Sequence, residues 1–351
     1  MLELHAYCIE KAPHLSMPVT GLMMLEAQGR LRLSIEIDPQ NRRRLPYVPL
    51  LDVQGAGKRI VFDLADGYGS EVEHALPELV GRADFVFRRS FSPKENVKLP
   101  LELQGRMRPL GFHFHVSCPQ NPIDTVSSWP EWRKSAFQRI FNGAPRSHFT
   151  LDKFERTPNR TEKPTILFYT RLWHVPQDDE LYNSVEQMNQ DRIHLVAELR
   201  SRYGSRFTGG IQFDPKEFRR WGHLMAGIGE TKRMRYLQAM HRADICIGSI
   251  GLNDSIGWKT AEYVAAAKAV VNEKFCYEVP GDFREGVNYL PFDDVEGCLA
   301  QVEQLMEAPQ RVYEMKMANY MYYQAYGRPD RMMANALRQV FPAWERSVAG
   351  T

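Results

Sequence analysis

Cysteine is scarce in this chain of 351 residues. Cys8, Cys118, Cys246, Cys276 and Cys298 are scattered, odd in number and free of Cys-x-x-Cys spacing. Such usage argues against a disulfide framework or a cysteine zinc site and reads as reduced thiols in a cytosolic protein. Long apolar runs are missing too: no uncharged stretch approaches the roughly 20 residues that span a bilayer. The opening Met-Leu-Glu-Leu-His-Ala-Tyr lacks the basic start and apolar core of a signal peptide. A soluble, cytoplasmic protein is expected, at most peripheral to the inner face of a membrane. No excess of one charge stands out, since the formal net charge is +2, so nucleic acid is not an expected partner. No Gly-x-Gly-x-x-Gly follows a strand and no Gly-x4-Gly-Lys-Ser/Thr occurs, which disfavours nicotinamide redox chemistry and P-loop phosphoryl transfer.

What is present suits packed cores: 43% of residues are hydrophobic and 25% charged. This length is more than one core usually serves, so two domains are expected. Strand and helix patterns alternate, which predicts α/β layering with parallel sheets. Strands are expected at Leu2–Ile9, Leu31–Ile37, Arg59–Asp63, Ala83–Phe87 and Leu110–Val116, and a helix over Trp129–Phe141. A linker-like Thr157–Pro164 follows. Beyond it the pattern predicts a strand at Thr165–Tyr169, a long helix stopping at Tyr203-Gly204, and a strand at Ser205–Gln212. A helix at Lys232–Arg242, a strand at Asp244–Ser249 and a helix at Val295–Met306 come next. One helical stretch from Val312 to about Val340 completes the series.

The most informative stretch is Asp254-Ser-Ile-Gly257-Trp258-Lys259-Thr260-Ala-Glu262, entered from an apolar run ending in small residues and left through Ala269-Val-Val-Asn272. Two acids with seven residues between them flank a glycine and a helix start, so they can reach different parts of one elongated polar ligand. Backbone N–H groups at Gly257 to Thr260, with the helix N-terminus behind them, favour an anion there. A diphosphate fits.

This acid-x7-acid pattern, followed by a small-residue helix and a Val-Val strand, resembles the C-terminal signature of nucleotide-sugar-dependent glycosyltransferases of the GT-B fold, the Glu-x7-Glu-type group 1 enzymes. Here the first acid is Asp254 rather than Glu. The resemblance implies two Rossmann-like domains facing a cleft, with a C-terminal helix crossing back to the first. It implies an acceptor-binding domain over 1–160, a donor-binding domain over 161–325 and a terminal helix over 326–351. Glu262 would then hold the ribose hydroxyls. Asp254 and the backbone after it would meet the donor sugar, with Gly257, Trp258, Lys259, Thr260 and Ser249 completing the donor site. Thr170-Arg171-Leu172 stands where the family often has Gly-Arg-Leu. Arg171 would sit at the diphosphate, a task its planar, permanently charged fork suits. The lysine the family frequently places a few residues later is absent, and Lys259 or Lys232 with Arg233 could substitute.

In the first half, polar residues at strand ends are acceptor candidates by position: Arg88, Arg89, His113 and, on the same strand face, His115. Two histidines so spaced can chelate a metal, but no third ligand stands nearby, and no metal or other cofactor is expected. Arg42-Arg43-Arg44, in a loop with Pro39 and Pro46 on either side, is a weak candidate for membrane contact. Departure of a nucleoside diphosphate develops negative charge that fixed cations and amides stabilise. Retention is slightly favoured. Inversion would need a base near the acceptor hydroxyl, with Asp66, Asp63 and His115 the candidates. The implied reaction is sugar transfer to a saccharide or lipid-linked acceptor, in surface polysaccharide or glycoconjugate synthesis. A nucleotide-sugar epimerase of the same fold and a non-catalytic nucleotide-sugar-binding subunit are the alternatives.

Overall fold

The structure is a computed structural model that describes residues 1–124, 149–179 and 181–344. The helix expected over Trp129–Phe141 lies outside the described residues. Two sheets organise the rest, and the strands of the second are rich in β-branched and aromatic residues.

The first sheet holds β1 (Leu2–Cys8), β2 (Leu31–Ile37), β3 (Leu50–Gly55), β4 (Lys58–Asp63), β5 (Phe85–Arg88) and β6 (Met107–Pro109) in the order β2-β1-β3-β4-β5-β6. It is not purely parallel as expected: β3 runs antiparallel to both β1 and β4. The hairpin between β3 and β4 turns through Ala56 and Gly57, both at positive φ, the backbone a two-residue hairpin of type I′ demands. The strand expected over Leu110–Val116 is shorter and earlier. Pro109 lacks an N–H for the ladder, and Gly111 at φ 116 breaks the extended run. Helices α1 (Ser16–Ala27) and α2 (Ser70–Gly81) cover this sheet.

The second sheet is wholly parallel, made of β7 (Ile166–Thr170), β8 (Phe207–Ile211), β9 (Ile245–Gly248), β10 (Ala269–Glu273) and β11 (Tyr289–Phe292). Its strand order is β11-β10-β9-β7-β8. The chain leaves β7 for β8 on one side, then returns to the other side of β7 for β9. That reversal is a topological switch point, beyond whose carboxyl strand ends such sheets leave a ligand crevice. Helices α3 (Tyr182–Tyr203), α4 (Arg233–Arg242), α5 (Trp258–Ala265) and α6 (Val295–Glu307) complete the layers.

The long terminal helix expected from sequence is divided. Helix α7 (Pro309–Tyr322) packs on α5 and β10 of the second sheet. After a π-turn at Tyr323–Gly327, α8 (Pro329–Val340) crosses to α1 of the first. Gly21 permits this contact: a Cβ there would lie 2.3 Å from the Pro329 carbonyl oxygen. Met332, Met333 and Leu337 of α8 are buried, each worth about 1.5–3 kcal/mol when fully removed from water. Gln28 also donates to Asp330 at 3.1 Å, and Trp344 to the Arg30 carbonyl at 2.8 Å. One apolar cluster runs continuously from α1 and β1 through α5 to α8, so the two sheets share core as well as a cleft. This two-sheet α/β architecture, with its terminal helix crossing back, is the one the resemblance implies. Among the described residues no helix is long and apolar enough to cross a membrane.

Candidate active site

Between the sheets lies a cleft of about 530 Å³. Its floor is the switch point, with Thr170 and Arg171 at the end of β7 and Gly248 and Ser249 at the end of β9. The first sheet contributes His14, Asp66 and Arg89 to the opposite wall. Among the lining residues four side chains are basic, Arg89, Arg171, Arg192 and Lys259, against the one carboxylate of Asp66. Such a field favours an anion. The N-terminus of α5 opens into the same space, with Gly257, Trp258 and Lys259 on the wall. The first N–H groups of a helix lack partners within it.

Lys259 donates to the Tyr169 carbonyl at 2.5 Å. Burial pulls its ammonium down to about 8; Glu262 opposes that shift, while Arg192, Arg171 and Arg233 add to it. Arg171 is stacked over the Trp173 ring at 3.7 Å. Arg192 on α3 was not singled out from sequence. Its guanidinium donates to the carbonyls of Arg171 (2.9 Å) and Ile250 (3.3 Å), and burial pulls it down to about 10.

A second recess of about 290 Å³ adjoins the cleft and shares Tyr169, Thr170, Gln212, Trp258 and Lys259 with it. Glu262 lies there, 2% exposed. Its Oε1 accepts from Arg233 at 2.9 Å, while Oε2 is buried without a partner. An orphaned carboxylate oxygen in a recess is a costly arrangement unless a ligand supplies the donor. Arg233, expected with Lys232 as a substitute cation at the diphosphate, is half-buried against Phe154 and Phe149 and pairs with Glu262 instead.

The expected residues do not all converge. Asp254 is exposed, at φ 57, and outside the lining of either cavity. Thr260 turns its hydroxyl away from the cleft to Asn272, at 2.7 Å. Arg88 is fully buried, bonded to Asp63 and to the carbonyls of Gly67 and Ser90, so it meets no acceptor. Asp63, equally buried, also accepts from Tyr47 at 2.7 Å. Arg89 does face the cleft. It pairs with Asp66 and donates across the gap to the Ile256 carbonyl at 2.7 Å. Nearby, a Cβ on Gly67 would lie 2.4 Å from that of Asn253, so the two halves nearly touch at this rim.

His113 and His115 engage different partners rather than one ion. His113 Nε2 donates to the His14 carbonyl at 2.5 Å, and burial with Arg89 alongside holds its imidazole well below the usual range. His115 meets Asp124 at 2.9 Å and stacks on Phe149. The imidazole that lines the cleft is His14, missed in sequence because nothing around Pro13-His14-Leu15 marks it. It packs edge-on to Trp258 at 4.8 Å. Burial and Arg89 lower its proton affinity. Of the three arginines considered for membrane contact, Arg42 bonds Asp38 at 2.9 Å, and Arg43 bonds Asp52 at 3.4 Å while lying over Tyr7.

No protein-family model matches the chain, and no curated protein matches it in sequence. Solved structures similar to it include a glycosyltransferase from Rickettsia africae (12% identity, 82% of this chain and 69% of that one, TM-score 0.42). Anabaena HepE, in complex with UDP and glucose, is similar over 95% of this chain and 98% of its own (12% identity, TM-score 0.37). A Listeria monocytogenes protein described as a UDP-N-acetylglucosamine 2-epimerase is similar over 97% and 96% (10% identity, TM-score 0.43). At these scores the likenesses carry no weight for function; the chemistry of the cleft does.

Proposed function

We propose that the chain is a glycosyltransferase that binds a nucleoside diphosphate sugar at the switch point and transfers its sugar to an acceptor entering from the first sheet. The observation that carries this reading is a single juxtaposition: a cluster of cations and a helix N-terminus beside a buried carboxylate with one oxygen free. The former suits a diphosphate, and the latter a ribose diol, whose hydroxyls would donate to Glu262 Oε2.

In this reading Arg171, Lys259 and the amides at the start of α5 neutralise the charge that grows on the diphosphate as the anomeric bond breaks. Groups fixed in advance for that charge lower the barrier without reorganising during the reaction. No metal or other cofactor is assigned a role. Asp66 is held by Arg89, His115 by Asp124, and His14 is weakened as a base by burial and Arg89. That supports retention, in which the departing phosphate takes the acceptor proton. The acceptor is a saccharide or lipid-linked sugar, with Arg89 and Asp66 at its rim of the cleft. Sugar transfer in surface polysaccharide or glycoconjugate synthesis, in the cytoplasm, fits such an acceptor.

A panel of nucleotide-sugars, incubated with and without oligosaccharide acceptors, tests this. Acceptor-dependent release of nucleoside diphosphate is expected. Conversion of the donor to an altered sugar without acceptor would instead mark an epimerase. Binding without turnover would mark a non-catalytic subunit.

A further inference from the structure

Helix α3 carries two polar side chains, one turn apart, on its buried face: Asn189, 5% exposed, and Arg192, 6% exposed. Asn189 clamps one residue from both sides, accepting from the Trp173 N–H and donating to the Trp173 carbonyl, each at 2.9 Å. Arg192 donates to the Arg171 carbonyl at 2.9 Å. Its other amino group reaches the second wall of the cleft, at the Ile250 carbonyl (3.3 Å) and the Ser249 hydroxyl (3.4 Å). Ile250 is gripped from its other side as well, since its N–H donates to Glu273 at 2.5 Å. The Nε of Arg192 is buried without a partner.

A helix face packed on a sheet is ordinarily apolar, and burying a guanidinium that bonds only carbonyls and a hydroxyl, with the Glu273 carboxylate nearby as its countercharge, costs free energy that aliphatic packing would not. The bonds made in return all fall on two loops, the one after β7 and the one after β9, which are the walls of the switch-point crevice. We propose that Asn189 and Arg192 are positioning residues: they hold the Arg171–Trp173 and Ser249–Ile250 segments as preformed walls of an anion subsite, and Arg192 acts on the bound anion through Arg171. Ligand loops left free must be ordered on binding, and fixing them beforehand removes that penalty. The role rests on the diphosphate reading above.

The test is a double-mutant cycle with Arg171→Ala, Arg192→Lys and Asn189→Ala, read by calorimetric titration with uridine diphosphate, guanosine diphosphate and inorganic pyrophosphate. Melting temperatures are taken alongside. Arg192→Lys is expected to weaken binding about tenfold in the parent protein, but less than about twofold once Arg171 is already alanine, because coupled residues are non-additive. A role confined to stability would lower the melting temperature without that coupling. Additive losses, or unchanged binding in both variants, would overturn the proposal. Should Arg192→Lys fail to fold, the Asn189→Ala cycle carries the same coupling. Pyrophosphate bound and coupled without either nucleotide sinks the nucleotide reading alone; no binding of any of the three sinks both.

Discussion

Arg233 donates to Oε1 of Glu262 at 2.9 Å and leaves Oε2 buried without a partner. The ion pair fixes the carboxylate, and the free oxygen is what a ribose hydroxyl would meet. Hydrogen bonds to a charged group contribute about 1.5–3 kcal/mol each. Glu262→Ala is therefore expected to weaken nucleoside diphosphate binding by roughly ten- to a hundredfold in calorimetric titration. Glu262→Gln, which keeps an acceptor oxygen, should lose less. Equal affinity across all three proteins would remove Glu262 from the site.

Lys259 gives the cleft a pH dependence. Its ammonium, lowered by burial to about 8, is charged below that pH and neutral above it. A neutral amine no longer attracts a diphosphate, so affinity should be full below about pH 8 and fall as pH rises through it. Lys259→Arg should abolish this inflection, because a guanidinium stays charged throughout. Titrating affinity against pH for both proteins checks the sign.

Arg171 differs from these two, being exposed and stacked on Trp173 rather than buried. If it acts where charge develops, Arg171→Ala should reduce kcat more than it raises KM. Removing one donor of preorganised electrostatic stabilisation typically lowers kcat by roughly 10²–10³. Steady-state kinetics with a turned-over donor separates the two parameters.

The second half of the fold was legible because its strands are short apolar runs between strong helix signals. β10 opens at Ala269, and α3 stops at Tyr203 before Gly204, as the pattern predicts. The first half was less so. β3 was missed because Leu50–Gly55 alternates little and pairs antiparallel, which alternation of strands and helices does not announce. Helix α1 was missed because Ser16–Leu22 is buried all round, leaving no polar face to give a helical period. At the site, Glu262 was readable from its place on a helix behind a small-residue strand end. Arg192 and His14 were not: one is an arginine among many on a long helix, the other a lone histidine in a loop. Their roles come from what the fold sets opposite them.

Asp254 separates the motif from its geometry. Its side chain is exposed and off the cleft wall, and its neighbour Asn253, also at positive φ, donates to the Asp66 carbonyl across the rim at 3.5 Å. Asp254→Ala is expected to leave nucleoside diphosphate affinity within about twofold, since the side chain lines neither cavity and changes at independent sites couple by no more than about 0.5 kcal/mol. A loss like that of Glu262→Ala would mean the loop swings its carboxylate inward when the donor binds.

Arg88, read from sequence as an acceptor contact, should prove a stability residue. It and Asp63 are both fully buried, and the pair is surrounded by Tyr47, Tyr68 and the carbonyls of Gly67 and Ser90. Removing one partner leaves the other charge uncompensated in the interior, at a cost of about 3–5 kcal/mol. The exposed pair of Arg32 with Glu3, by contrast, holds at 3.3 Å in solvent, where such contacts contribute at most about 1 kcal/mol. Urea unfolding of Asp63→Ala and Arg32→Ala should therefore show a large fall in midpoint for the first and almost none for the second. A small effect for Asp63→Ala would mean that water reaches Arg88 once the carboxylate is gone, and that the β4–β5 end of the sheet is looser than its packing implies.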